Sequence, residues 1–216
     1  MAKKETTREN AIETVRDFMS KEPFSLMDYF ICGSIRRKKE RVGDADIIII
    51  SEFLPDGGET KKYLELGGNK SRTYNYKGLQ INMWNCLPKD LGGFLLYATG
   101  SGDFGIAIRT IAKEQNLKLS QYGLFHRKTN KLVMKMTEKS IFNKLGYYYI
   151  PPEERTMNKI RFKLRAYEMK TKNDMTYEER ILGRVKDKSI YPKKLWAILP
   201  MDIPVGLLKD FIKEKK

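Results

Sequence analysis

The sequence predicts an α+β fold, a sheet domain followed by a smaller mixed subdomain. Strand-like segments come early, helical periodicities are interleaved later, and Pro151-Pro152 marks a boundary before a basic tail. With 216 residues, the chain can bury a real core without disulfide or metal staples.

The elements follow in order. Residues 6–19 carry Ala11, Ile12, Val15, Phe18 and Met19 at helical spacing, the pattern of an amphipathic helix. Residues 24–32 read as a strand, broken by Gly33-Ser34 and followed by a cationic run from Arg36 to Arg41. Residues 44–50 start acidic and continue β-branched, as a buried strand does. Pro55-Asp56-Gly57-Gly58 is a turn, and Gly67-Gly68 another. Residues 72–76 and 79–86 are expected as two strands joined at Lys77-Gly78, a hairpin signal. Pro88 ends that pair. Residues 92–99 and 103–115 read as helices separated by Gly100-Ser101-Gly102. Residues 117–125 and 131–136 are expected as short strands. Residues 137–145 are expected as a helix whose Thr137 hydroxyl accepts a free backbone N–H. Beyond Pro152, residues 158–172 and 177–186 read as basic and partly helical, and residues 205–216 as a terminal helix.

Lys and Arg outnumber Asp and Glu by 42 to 27, a formal charge of +15. Such an excess favours a polyanionic partner, nucleic acid before anionic membrane; the competing explanation is a solubilising surface. Cys32 and Cys86 match no zinc spacing, and the single His126 completes no metal site, so both cysteines are expected as core thiols in a reducing compartment. No apolar stretch follows the N-terminus as in a signal peptide, and no run approaches a membrane span.

Asp44-Ala45-Asp46 is the most informative triplet. On a strand, residues i and i+2 share a face, so the two carboxylates converge. Their repulsion needs a compensating cation, and hard divalent metals prefer oxygen ligands. Alone, the triplet reads more readily as an acidic strand end at a solvated edge, a common feature. Upstream, Gly33 lets a phosphate approach the backbone, the Ser34 hydroxyl can donate to it, and Arg37 can pair with it. A phosphate grip beside a carboxylate pair suits phosphoryl transfer. Some members of the cationic run Arg36 to Arg41 are expected to line a solvated loop.

The stretch CGSIRRKKERVGDADIIII resembles the nucleotidyltransferase signature of the family X DNA polymerases. LLYATGSGDFGIAIRTIAKEQNLKLSQYGLF is similar to that family's Tyr-x-Thr-Gly-Ser turn, following helix and strand. EKSIFNKLGYYYIPPEER is similar to its closing helix and Pro-rich end. The resemblance spans roughly residues 29–155. It implies a palm with a mixed sheet over 1–98, a small α/β nucleotide-side subdomain over 99–155, and a basic extension of unassigned role over 156–216.

The resemblance also implies roles. Gly33, Ser34 and Arg37 match positions that hold the triphosphate, and Asp44 and Asp46 match metal-bridging carboxylates. Tyr97, Thr99, Gly100 and Ser101 match the turn against which the incoming sugar and base pack. Arg109 matches an arginine that checks the nascent pair from the template side. Ala98 stands where the family has Phe, a change bearing on sugar choice. Gly102 and Gly105 replace side chains that touch the base.

The sharp departure is Asn82. Counting back from Tyr97 places it, without a gap, at the family's third carboxylate, also a metal position. An amide coordinates Mg²⁺ less well and cannot accept the primer hydroxyl's proton. The chain as given is therefore expected to be an impaired Asp-to-Asn variant, an inactivating substitution rather than a naturally dead homologue. Alternatively, Glu65 or Asp90 supplies the missing carboxylate.

The implied activity is templated, two-metal transfer of a deoxynucleotide to a primer 3′-OH, as in short-gap repair. Two Mg²⁺ ions, replaceable by Mn²⁺, are the implied cofactors. Primer-template or gapped DNA and deoxynucleoside triphosphates are the implied partners. A monomer is expected, without a membrane, in the cytoplasm or, for a viral protein, in the virion or viral factory. Few residues precede the palm, so the chain resembles the minimal viral members and is expected to lack a lyase domain. The basic extension is expected either to grip DNA or to brace the palm. The rival functions are a template-independent nucleotidyltransferase and a non-catalytic DNA-binding relative.

Overall fold

A computed structural model describes residues 5–135 and 137–155. The helices expected within 158–216, and the role of that extension, lie outside the described residues. Within them the fold is α+β, with a five-stranded mixed sheet and a three-stranded antiparallel sheet.

The chain opens with β1 (Thr6–Thr7) and α1 (Arg8–Met19). The Thr7 hydroxyl accepts from the Asn10 N–H at 3.3 Å and starts the helix. Ala11, Val15, Phe18 and Met19 form its buried stripe. Phe18 packs on Tyr74 and Tyr76 with ring centroids at 5.1 and 5.3 Å. The strand expected at 24–32 shrinks to β2 (Tyr29–Ile31). The amides of Phe24 and Met27 bond the local carbonyls of Lys21 and Phe24, so they are not offered to a ladder. The cationic run is likewise not a loop throughout. It holds the short helix α2 (Gly33–Arg36) and β3 (Arg41–Val42), which pairs with β1.

The strand β4 (Asp44–Ile50) is central, and Ala45, Ile47, Ile48 and Ile49 are fully buried. A strand covered on both faces carries a nearly continuous apolar run. Next come β5 (Leu64–Gly67), β6 (Ser71–Tyr76) and β7 (Leu79–Cys86), giving the sheet order β2-β4-β7-β6-β5. The β4–β7 pair is parallel and the others are antiparallel. Lys77 (φ 49°) and Gly78 (φ 80°) both take positive φ, as a tight two-residue hairpin requires. One face of the sheet packs on α1 to form the first core.

The second core lies among α3 (Leu91–Thr99), α4 (Gly102–Glu114), β8 (Leu117–Ser120), β9 (Gly123–His126), β10 (Leu132–Met134) and α5 (Glu138–Leu145). A side chain on Gly92 or Gly93 would run into the backbone of Thr137 or Gln121, so α3 can pass close to both segments. The strand expected at 117–125 is a hairpin, β8 and β9, turning at Gln121-Tyr122. Thr137 caps α5 in a reciprocal box with Ser140. Cys32 and Cys86 are free and buried, and burial pushes the Cys32 thiol up to about 12. No described helix is long and apolar enough to cross a membrane.

Candidate active site

The parallel register of β4 and β7 sets Asp44 opposite Gln80 and Asp46 opposite Asn82. Side chains alternate along each strand, so Asp44, Asp46 and Asn82 share one face of the sheet. Asn82 Nδ2 donates to Asp46 Oδ1 at 3.2 Å. Its Oδ1 accepts from Gln80 Nε2 at 2.9 Å and Thr73 Oγ1 at 3.2 Å. Those two donors turn the amide so that its N–H faces the carboxylate. Glu65 and Asp90 are engaged elsewhere: Glu65 accepts from Asn75 at 3.0 Å and Asp90 pairs with Lys135 at 2.8 Å.

Gly33 opens α2 at φ 59°. A Cβ there would collide with the Asp46 carboxylate, so the close approach of helix and strand requires glycine. The Ser34 hydroxyl is buried with no hydrogen-bond partner among the described residues. Arg37 donates from Nη1 to the Thr99 carbonyl, and its buried Nε likewise lacks a partner there. Burial lowers the Arg37 pKa, and the negative field of Asp46 opposes that shift. Two orphaned donors beside a carboxylate pair are the groups a phosphate would satisfy.

Thr99 is fully buried, and its hydroxyl accepts from Arg36 Nη1 at 2.6 Å. A Cβ on Gly100 would meet Arg37 Nη1 at 3.2 Å. Ser101 accepts from the Phe104 N–H at 3.4 Å and donates to the Arg155 carbonyl at 3.0 Å. Arg37 thus reaches the Thr99–Gly100 turn, Gly33 abuts Asp46, and Asp44, Asp46 and Asn82 share a face of the sheet. Tyr97 and Arg109 are exposed on α3 and α4. The Arg109 guanidinium lies back over Gly105, where a Cβ would meet Nη1 at 3.4 Å.

Four participants escape a reading of the sequence. Thr73 and Gln80 orient Asn82. Glu138 and Arg155 complete a buried ion triad with Arg36, both arginines lying 2.7 Å from Glu138. Burial alone would push the Glu138 carboxyl up. Arg155 and Arg36 outweigh it and hold the group at about 2. Arg155 also lies within 5.3–5.6 Å of the ring centres of Phe104, Phe142 and Tyr149. Arg36 thus leaves the solvated set. Lys39 stays exposed, and Lys38 and Arg41 make exposed pairs with Glu153 and Glu5.

Two carboxylates on one strand suit a hard divalent cation. At residue 82 the fit is poorer, because an N–H faces Asp46. Among the described residues, no group of three His, Cys, Asp or Glu side chains gathers in a metal-binding arrangement. Beside the two carboxylates stands the Asn82 amide.

A carboxylate pair at the head of a central strand lies beside a serine on α2 and the arginine that caps its C-terminus. The family model described as "DNA polymerase beta thumb" matches residues 94–156. The "Repair DNA polymerase X" of African swine fever virus is 30% identical over 142 residues, covering 57% of this chain and 78% of that protein. The "DNA polymerase/3'-5' exonuclease PolX" of Bacillus subtilis is 29% identical over 140 residues, covering 60% of this chain and 24% of that protein. Leishmania infantum polymerase beta, as a ternary P/T complex, shares the fold with a TM-score of 0.58 at 22% identity, over 71% of this chain and 77% of that one. The chain belongs to the family X DNA polymerases.

Proposed function

We propose that this chain is a template-directed repair polymerase that transfers a deoxynucleotide to a primer 3′-OH in short gaps, weakened by Asn82. The observation that carries this reading is the β4–β7 register, which sets Asp46 against Asn82 with Asp44 on the same face. The names of the relatives support it: a viral repair polymerase, and polymerase beta in ternary primer-template and gap complexes.

Asp44 and Asp46 would hold the divalent cations, Mg²⁺ or Mn²⁺. Such ions, when bound, neutralise the triphosphate and make the primer hydroxyl a better nucleophile. Ser34 and Arg37 bind the phosphates with the two donors that have no partner among the described residues. The Thr99–Gly100 turn, fixed by Arg36 and Arg37, supports the sugar. Asn82 holds its place beside Asp46 but can neither take up the proton of the 3′-OH nor add negative charge. Residues 1–98 act as the palm and residues 99–155 as the nucleotide-side subdomain.

Primer extension by the Asn82→Asp protein on recessed, gapped and single-stranded DNA, with both sugar types, tests this. Incorporation should follow the template base and need a paired primer. Efficient addition to single strands would replace templated synthesis with terminal transfer. No addition on any substrate would favour a non-catalytic relative.

The phosphate grip makes its own prediction. Arg37→Ala should weaken nucleotide binding to a preformed DNA complex by about 10- to 100-fold, the equivalent of a charge-assisted bond worth about 1.5–3 kcal/mol. Lys39→Ala, at an exposed position, should change it less than about threefold. Equal losses in nucleotide titrations at fixed Mg²⁺ would mean that the cationic run acts only as diffuse charge.

A further inference from the structure

Residues 115–137 contain no Asp or Glu, in a chain with 27 of them among 216 residues. They contain Lys118, Arg127, Lys128, Lys131 and Lys135, together with His126. Only Lys135 has an acidic partner among the described residues, Asp90 at 2.8 Å. The other four cations are exposed.

The fold concentrates them. The turn between β9 and β10 is closed by His126 N–H to Lys131 O at 2.8 Å and Asn130 N–H to His126 O at 2.9 Å. Arg127 N–H bonds the Asn116 carbonyl at 3.0 Å, which fixes the turn against the end of α4. Lys118, Phe125 and Leu132 are cross-strand neighbours on β8, β9 and β10, so they share a face. Phe125 is half-buried and Leu132 is 48% exposed. One half-buried aromatic ring beside an exposed leucine, bordered by cations with no acidic partner among the described residues, suits single-stranded nucleic acid, whose phosphates need charge and whose bases offer flat apolar faces.

Position supplies the link to the site. The helix α4 starts at the Gly100-Ser101 turn and runs 13 residues toward this corner, about 20 Å at 1.5 Å per residue. Arg109 and Lys113 are exposed on it four residues apart, hence on one face. Glu114 is the nearby exposed acid on the same helix.

We propose that the β9–β10 turn and the adjoining sheet face bind the single-stranded template beyond the active site. Arg127, Lys128 and Lys131 would contact phosphates, and Phe125 would support a base. The proposal rests on the reading of the chain as a templated polymerase but adds a contact surface outside its catalytic centre.

The test is equilibrium binding of the full chain to fluorescent primer-templates with template overhangs of about 2 and about 12 nucleotides, across a salt series. It requires no catalysis, so Asn82 does not obscure it. The long overhang should bind more tightly. The triple variant R127A/K128A/K131A should lose about tenfold on the long overhang and little on the short one. Its slope of log affinity against log salt should fall by about 2, as for three lost single-strand phosphate contacts. K61A/K62A/K70A removes the same charge from other exposed positions and should leave the overhang preference intact. Unchanged melting temperatures would show that both variants fold.

An equal loss in the control variant would reduce the effect to net charge and overturn the proposal. So would a loss that appears only when a downstream strand makes the overhang duplex. Tight binding without any overhang preference overturns it while leaving the polymerase reading in place. Failure to bind either DNA overturns both.

Discussion

Asn82→Asp should raise the rate of primer extension by at least about a thousandfold. That is about 4 kcal/mol of barrier at 1.36 kcal/mol per factor of ten, within what general-base and metal activation together supply. In the present protein the Asn82 amide donates to Asp46 at 3.2 Å and thereby satisfies part of that carboxylate without any cation. An aspartate at 82 would accept from Thr73 and Gln80 as the amide oxygen does now, so its orientation should survive. Its second oxygen would then face Asp46 as a like charge, and the trio would require cations. Mg²⁺ or Mn²⁺ should therefore raise the melting temperature of Asn82→Asp more than that of the unaltered chain. Single-turnover extension gives the rate. Adding Asp46→Asn to the Asn82→Asp protein should abolish the gain. An unchanged rate together with an unchanged metal-induced shift would remove residue 82 from the site.

The sequence reveals β4 because an acidic pair and an unbroken β-branched run fall on consecutive residues. It reveals the Lys77-Gly78 hairpin because both flanking strands have enough alternation to fix their register. Other elements are hidden for physical reasons. Leu64–Gly67 is an edge strand of four residues, and Leu66 is 74% exposed, so no buried face marks it. The β8–β9 hairpin turns at Gln121-Tyr122, which lacks the usual turn chemistry, and Gly123 (φ 115°) is easily taken as part of a continuous strand. Asp44, Asp46 and Arg37 stand out in the sequence as chemical types in a short pattern, whereas Asn82 is singled out only by its spacing from Tyr97 within the family resemblance. Arg36 and Glu138 do not stand out. Arg36 stands beside Arg37 and looks the same, while Glu138 looks like a surface acid in the first turn of a helix. Only a contact spanning 102 residues of sequence shows that both are buried.

Glu138→Ala should cost about 3–5 kcal/mol of folding stability, because it leaves two buried guanidinium groups without their counter-charge. Arg36 and Arg155 side chains are only 7% and 0% exposed, so water cannot replace the carboxylate. The pH dependence follows in sign. The Glu138 carboxyl is held at about 2, below its ordinary 4.5. A lowered folded-state value gives stability that is present above about 4.5 and is lost as pH falls toward about 2. Urea melts at pH 7 and pH 3 should therefore differ less for Glu138→Ala than for the unaltered chain. A second variant separates stability from function. Replacing the triad together, as R36M/E138L/R155M, removes every buried charge and should recover much of the lost stability, since well-packed apolar residues often match a buried ion cluster. Nucleotide binding should not recover with it. Arg36 holds the Thr99 hydroxyl while Arg37 holds the Thr99 carbonyl, so the turn beside the phosphate grip would lose one of its two fixings. Full recovery of nucleotide affinity in the apolar triple variant would show that the triad only fills space between the two cores.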